Sequence, residues 1–251
     1  MSKKSFRPIF AALLSISLLC VGARGARADD CILDNCADKA SPAPTTPLAP
    51  SAAPAPTQRI GPIAPANFDF YVLALSWSAG FCELSGGGKS QCEPGSNLGF
   101  VVHGLWPQYE HGYPGNCGYA PTPTRMALDR AKGLYPDDGL ARYEWRKHGT
   151  CTGLSAGDYF DSVARARASV AIPESFVKAP SDRNLATMDI ERAFLDANPR
   201  LRPGMLSVGC LRGVLEEVRI CLTKDLRDFH ACPEVARGGC RSREIRVPAS
   251  N

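Results

Sequence analysis

Four side chains in two short stretches carry the groups that proton-transfer chemistry needs. In Arg142-Tyr143-Glu144-Trp145-Arg146-Lys147-His148-Gly149-Thr150-Cys151, Glu144, Lys147 and His148 stand at i, i+3 and i+4. On a helix those positions share one face, so a carboxylate, an ammonium and an imidazole are brought together. The second stretch, Gly99-Phe100-Val101-Val102-His103-Gly104-Leu105-Trp106-Pro107, supplies another histidine. Either stretch alone reads blandly, as a surface helix with an ion pair or as a strand ending in a structural histidine. Together, two imidazoles and a lysine form a sufficient kit for acid–base cleavage of a phosphodiester without metal. One imidazole takes a proton, the other gives one, and the ammonium faces the charge that gathers on phosphorus.

The elements that must position these groups follow from local pattern. Phe100, Val101 and Val102 predict a buried strand with His103 at its end and Gly104 turning the chain. The Glu144–His148 face predicts a helix that Gly149 terminates. Upstream, Phe70-Tyr71-Val72-Leu73-Ala74-Leu75-Ser76-Trp77 has strand character. Residues 107–123, rich in proline and glycine, predict a long loop that holds His111, an exposed loop histidine. Thr124 to Gly133 reads as a short helix with Met126, Leu128 and Ala131 as its buried positions. Ser155, with Asp158 three residues on, reads as a cap for a helix to about Ser169 that buries Tyr159, Phe160 and Val163. A further helix from Thr187 to Ala197 stops at Asn198-Pro199. Met205–Cys210 and Val214–Leu222 read as two strands of a hairpin or meander.

The ends of the chain are of another kind. Lys3, Lys4 and Arg7 precede an apolar run from Ile9 to Val21, and Ala26-Arg27-Ala28 offers a small-x-small cleavage site. That is the pattern of a secretory leader over residues 1–28, and the apolar run is short for a membrane span. The leader holds Lys3, Lys4, Arg7, Arg24 and Arg27, so the 29 basic residues of the chain less these five leave 24 against 25 acidic ones. The net charge of +4 therefore belongs to the leader. Any affinity for nucleic acid must rest on local groups such as Arg142, Arg146 and Lys147. Residues 29–66 combine Cys31 and Cys36, able to close a small loop, with a proline- and alanine-rich spacer that cannot build a core. The folded domain is expected at 67–251. Of 11 cysteines, Cys20 falls in the leader, and the even remainder in a secreted chain predicts disulfides. Cys82 and Cys92 flank Gly86-Gly87-Gly88, which favours a local bridge. Cys210, Cys221, Cys232 and Cys240 leave three pairings open.

His103–Pro107 and Glu144–Cys151 read His-Gly-Leu-Trp-Pro and Glu-Trp-x-Lys-His-Gly-Thr-Cys, and in these the chain resembles the T-two family of ribonucleases. A weaker likeness runs from about Phe68 to Pro248. The resemblance implies an α+β fold, one disulfide-stabilised domain with a central antiparallel sheet and packed helices. It implies bridges Cys117–Cys151, Cys210–Cys240 and, nested within the latter, Cys221–Cys232. It also implies a monomeric, metal-independent endoribonuclease acting on RNA and not DNA, without cofactor or stable membrane association, secreted or periplasmic. His148 is then the base, His103 the acid, and Lys147 the phosphoryl-charge stabiliser with Glu144 beside it. The residues alone do not assign the two histidines. Two positions depart from the family pattern. Tyr143 stands where many members have a histidine, and Gln108 where some have an aspartate. Both join Trp106 as expected substrate contacts. Two rival readings are a metal-dependent phosphodiesterase using His103, His148 and Glu144 as ligands, and a silent disulfide-rich binding module. No metal-ligand spacing supports the first, and the intact Glu144–Lys147–His148 set opposes the second.

Overall fold

Phe70–Trp77 is apolar almost without interruption because it is covered on both faces, the mark of a central strand. It is β1 of a six-stranded sheet in a computed structural model that describes residues 67–250 except 86, 87, 120 and 178. The leader, the Cys31/Cys36 loop and the spacer expected over 1–66 lie outside the described residues. The other strands are β2 (Phe100–Gln108), β3 (Arg183–Ala186), β4 (Leu206–Leu211), β5 (Val214–Thr223) and β6 (Glu244–Val247). The helices are α1 (Ser78–Ser85), α2 (Arg125–Ala131), α3 (Asp138–Lys147), α4 (Ala156–Ala168), α5 (Glu174–Val177), α6 (Thr187–Ala197) and α7 (Pro233–Arg237).

β1 pairs antiparallel with β2 on one side and β5 on the other. β4 joins β5 through a tight turn in which Arg212 and Gly213 both have positive φ, 51° and 76°. Two such residues in succession make the hairpin turn whose twist suits antiparallel strands. β3 pairs antiparallel with β6, and β6 meets β5 in parallel at Val214–Arg246. The sheet is therefore α+β as expected, antiparallel but for that one contact.

Alternation along β1 divides the sheet into two faces. Leu73, Leu75 and Trp77 enter the main core with Tyr159, Phe160, Phe176 and Phe194 from the helices. Phe70 and Val72 point the other way, into a smaller cluster with Cys221, Cys232 and Trp106. α2 and α4 pack together under the main core. Thr124 caps α2 by accepting from Ala127 N, and the helix buries Ala127, Leu128 and Ala131. Met126, expected inside, is exposed, since the buried stripe begins one residue later. Ser155 caps α4 through Asp158 N, and Tyr159, Phe160 and Val163 are buried as the pattern predicts. Asn198 ends α6 with more than a following proline. Its buried amide donates to the Ala171 and Phe194 carbonyls and accepts from Ala171 N.

Four disulfides tie these elements: Cys82–Cys92, Cys117–Cys151, Cys210–Cys240 and Cys221–Cys232. Cys117–Cys151 fastens the loop after β2 to the turn that follows α3, so both borders of the site described next share one covalent anchor.

Candidate active site

His103 lies within β2 and not at its end. In the β1–β2 ladder Ala74 faces Gly104 and Leu75 faces Val102, so His103 is an extra residue, a β-bulge. A bulge lets a strand re-aim one side chain without losing its register. Val102 and Leu105 both remain in the main core, while His103 and Trp106 emerge together on the opposite face. Gly104 does not turn the chain. It is small because a Cβ there would overlap the Glu144 carboxyl group and the Trp106 indole nitrogen.

α3 is started by Asp137, whose carboxylate accepts from Leu140 N at 2.9 Å. Ala141 and Trp145 turn into the core, and the Trp145 indole donates to the Pro121 carbonyl at 2.9 Å. That packing fixes the rotation of the helix and aims Glu144 at β2. The chain does not break at Gly149. A 3-10 turn runs from Gly149 to Thr152, and the left-handed glycine is Gly153 at φ 73°. Gly149 is required because a Cβ would strike the Trp145 ring.

Trp106 is the hub of the constellation. Its indole N–H donates to Glu144 Oε2 at 2.7 Å. His103 meets the ring edge-on at a centroid distance of 5.2 Å, and His148 lies tilted against it at 5.3 Å. The guanidinium of Arg219 stands over the ring, 5.6 Å from its centre. Glu144 Oε1 lies 3.9 Å from His103 Nε2. Lys147 does not close an i, i+3 bridge to Glu144. Its Nζ lies 5.4 Å from the centre of the Tyr143 ring, with the Arg146 guanidinium at 5.8 Å, so Tyr143 is a platform for two cations. Gln108 is buried, on the same sheet face as Trp106, and its amide donates to the Pro107 carbonyl at 3.0 Å. His111 is exposed, pairs with Glu234 at 3.2 Å and stands apart from the cluster.

Two residues of the cluster, Glu217 and Arg219 on β5, went unforeseen. Glu217 on β5 is 3% exposed and accepts from His103 Nδ1 at 2.8 Å and from Arg219 Nε at 2.6 Å. Glu216-Glu217 looks like an exposed acidic pair in the sequence. The only local signal was the i, i+2 spacing of Glu217, Arg219 and Cys221, which puts all three on one face of a strand.

The two imidazoles sit in opposite electrostatic surroundings. At His148, burial and then the charges of Lys147 and His103 disfavour the proton, bringing its pKa down to about 3. Its Nδ1 is buried without a partner among the described residues, so an imidazolium would leave an N–H unsatisfied. At His103 burial pulls the same way, but the Glu217 hydrogen bond and the Glu217 and Glu144 charges outweigh it, with Arg219 opposing, and the pKa rises above the ordinary histidine value. Burial pushes Glu144 up to about 7 against the pull of His103, the Trp106 N–H and Lys147. Glu217 is also pushed up by burial, yet its bonds to His103 and Arg219 leave it below the usual carboxylate range. The proton is thus disfavoured on His148 and favoured on His103, both rings touch the same indole, and the Lys147 ammonium is close enough to His148 to act on its charge. Among the described residues no group of three or more His, Cys, Asp or Glu side chains is arranged to hold a metal ion.

Comparison with known proteins gives the family from a family model and from relatives in sequence, and the fold from solved structures. The model of the Ribonuclease T2 family matches residues 68–232. A ribonuclease of Aeromonas hydrophila is 36% identical over 175 residues, 67% of this chain and 78% of that protein. Ribonuclease I of Escherichia coli is 27% identical over 51% of this chain and 64% of its own. Among solved structures, an RNase-related protein from Calystegia sepium superposes with a TM-score of 0.58 at 24% identity, covering 73% of this chain and 98% of that one. A mutant of RNase MC1 in complex with 5'-UMP superposes at 0.57 with 19% identity, covering 71% and 97%. Those likenesses extend to the fold, whereas the match over 68–232 and the Aeromonas relative reach through both histidine-bearing stretches, and on them the chain is a member of the Ribonuclease T2 family.

Proposed function

We propose that this ribonuclease cleaves single-stranded RNA by internal transfer, with His148 as base and His103 as acid. The neutral His148 takes the proton of the ribose 2′-hydroxyl. The O2′–P bond forms as the P–O5′ bond breaks, and His103 delivers its proton to the departing 5′-oxygen. The products are a 2′,3′-cyclic phosphate and a free 5′-hydroxyl. In the second step water attacks phosphorus and gives its proton to His103. The P–O2′ bond breaks, His148 returns its proton to O2′, and a 3′-phosphate remains. Lys147 faces the phosphoryl oxygens, where the transition state gathers charge. Glu144 accepts from the Trp106 indole and so fixes the ring that both imidazoles touch, with its other carboxyl oxygen 3.9 Å from His103 Nε2.

The observation that carries this reading is the opposite bias of the two histidines within one cleft. It matches the assignment that the family resemblance implies. The 5'-UMP and 5'-AMP bound by RNase MC1 and RNase NT favour a ribonucleotide ligand for this fold. Tyr143 and Trp106 border the cleft as substrate contacts. Gln108 would reach a base only after its amide swings away from Pro107. The leader at 1–28, the spacer at 29–66 and four bridges in the catalytic domain at 67–251 favour work outside the cytoplasm, in the periplasm or beyond, and the family resemblance implies a monomer.

Product analysis over time tests the reading. The cyclic phosphate should appear first and decay to the 3′-phosphate. Direct release of a 5′-phosphate would reject it.

A further inference from the structure

The mechanism above leaves one buried charged group unused. Glu217 and Arg219 belong to β5, and His103 belongs to β2, with the whole of β1 between them. In register, Glu217 lies beside Ser76 and Arg219 beside Ala74, on the face that carries Gly104 and Trp106. Ala74 and Ser76 are small, which opens a channel over β1 through which His103 and Glu217 meet at 2.8 Å. On the other side of Glu217, its ladder partner on β4 is Gly209, where a Cβ would press on the Glu217 side chain at 3.1 Å. Each carboxyl group beside His103 therefore has its own glycine: Gly104 for Glu144 and Gly209 for Glu217. A carboxylate this deeply buried is costly unless every lone pair it presents is matched. Here one oxygen takes the imidazole and the other takes the guanidinium.

We propose that Glu217, braced by Arg219, is the positioning residue for His103, fixing its ring so that Nδ1 carries a proton toward β5 and Nε2 faces the scissile phosphate. A carboxylate only accepts, so Nδ1 must donate in both protonation states. Only Nε2 is then free to give up a proton to the leaving 5′-oxygen and to take one from water in the second step. Glu217 does not touch substrate; it acts through His103. This inference rests on the acid role proposed for His103. The charged and titratable groups around that ring are Glu216, Glu217 and Arg219 from β5, and Glu144, Lys147 and His148 from α3 with its C-cap. Glu217 is the one in direct contact, so its removal should dominate any change in the protonation of His103.

The test compares Glu217→Gln and His103→Ala on two substrates, a diribonucleotide and a ribonucleoside 3′-(4-nitrophenyl phosphate). The aryl oxide leaves without help from an acid, so loss of acid function should spare the second substrate. For Glu217→Gln we expect on the order of a 100-fold loss on the diribonucleotide, the lower end of what a general acid supplies, and a change within about threefold on the aryl ester. The alkaline limb of its pH profile should move to lower pH, and Glu217→Asp, which keeps the charge, should recover part of the loss. If His103→Ala shows the same split and Glu217→Gln loses both substrates equally, or neither, the inference fails while the acid assignment stands. If His103→Ala shows no split, the acid assignment falls and the inference with it. Should Glu217→Gln not fold, nitrogen NMR of the unmutated protein decides. Above its pKa the neutral His103 should carry its proton on Nδ1, and finding it on Nε2 would overturn the proposal.

Discussion

Replacing Gly104 by alanine adds one methyl group and should disable the site. The new Cβ would fall on the Glu144 carboxyl group and the Trp106 indole nitrogen. Neither can step aside at small expense. Glu144 is 1% exposed, and the indole is held by His103, His148 and Arg219. To admit the methyl, the 2.7 Å bond from Trp106 to Glu144 must open. A hydrogen bond to an ionisable partner contributes about 1.5–3 kcal/mol, and overpacking a filled site costs about 1–3 kcal/mol. One displacement accounts for both, so they overlap, and about 2–3 kcal/mol is the expected loss. In a domain of this size that lowers Tm by roughly 4–12 °C, at about 2–4 °C per kcal/mol. Turnover should fall further than stability, since moving a catalytic group by about 1 Å can cost on the order of 100-fold. Thermal and urea unfolding, read beside initial rates on RNA, measure both. Gly115→Ala is the control: its Cβ would meet only the Lys147 carbonyl, at 3.8 Å, and stability should stay within about 0.5 kcal/mol. A Gly104→Ala enzyme with unchanged unfolding and turnover would refute the close-approach argument.

Further outcomes follow from the same geometry. His103→Ala and His148→Ala should each lower turnover by on the order of 100- to 10,000-fold with the fold retained, as judged by circular dichroism; near-normal rates in either would remove that residue from its role. The pH profile of kcat/KM should be a bell on the acid side of neutrality. Activity is gained as pH rises through the His148 value of about 3, because the base must lose its proton, and lost as pH rises through the elevated His103 value, because the acid must keep its own. A rising limb in the ordinary imidazole range would contradict the account of His148. Replacing Cys117 and Cys151 by serine, which opens a bridge across 34 positions, should lower unfolding stability by roughly 3–4 kcal/mol on the chain-entropy model, with the urea midpoint as readout.

The sequence carried those parts of the site that are written locally. The spacing of Glu144, Lys147 and His148 puts them at the end of one helix, with Lys147 its last residue and His148 its C-cap. The cap at Ser155 was legible for the same reason, since its side chain serves the backbone N–H of Asp158 three residues on. What could not be read was anything set by partners distant in the chain. Gly104 looks like a turn until Glu144, forty residues later, is seen to fill the place of its Cβ. His103 looks like the end of a strand because a bulge is a property of two strands and only one was in view. Glu217 drew no notice, since an acid pair in a strand reads as solvated and its partner is 114 residues away. The spacing alone offers Glu144 and Lys147 as a surface ion pair, the bland reading of that helix, yet the tertiary fold buries Glu144 against Trp106 and leaves the ammonium to Tyr143.

The most direct test of the central claim is to remove one substrate oxygen. The nucleophile proposed here is the 2′-hydroxyl of RNA, and the positive charge at phosphorus is supplied by Lys147. An RNA strand containing a single 2′-deoxy sugar should resist cleavage only at the bond 3′ to that sugar. In excess chelator the rest of the strand should be cut at an undiminished rate, and a matching DNA strand should survive. Cleavage at the deoxy position, or collapse of activity in chelator, would contradict the account and point to attack by metal-activated water.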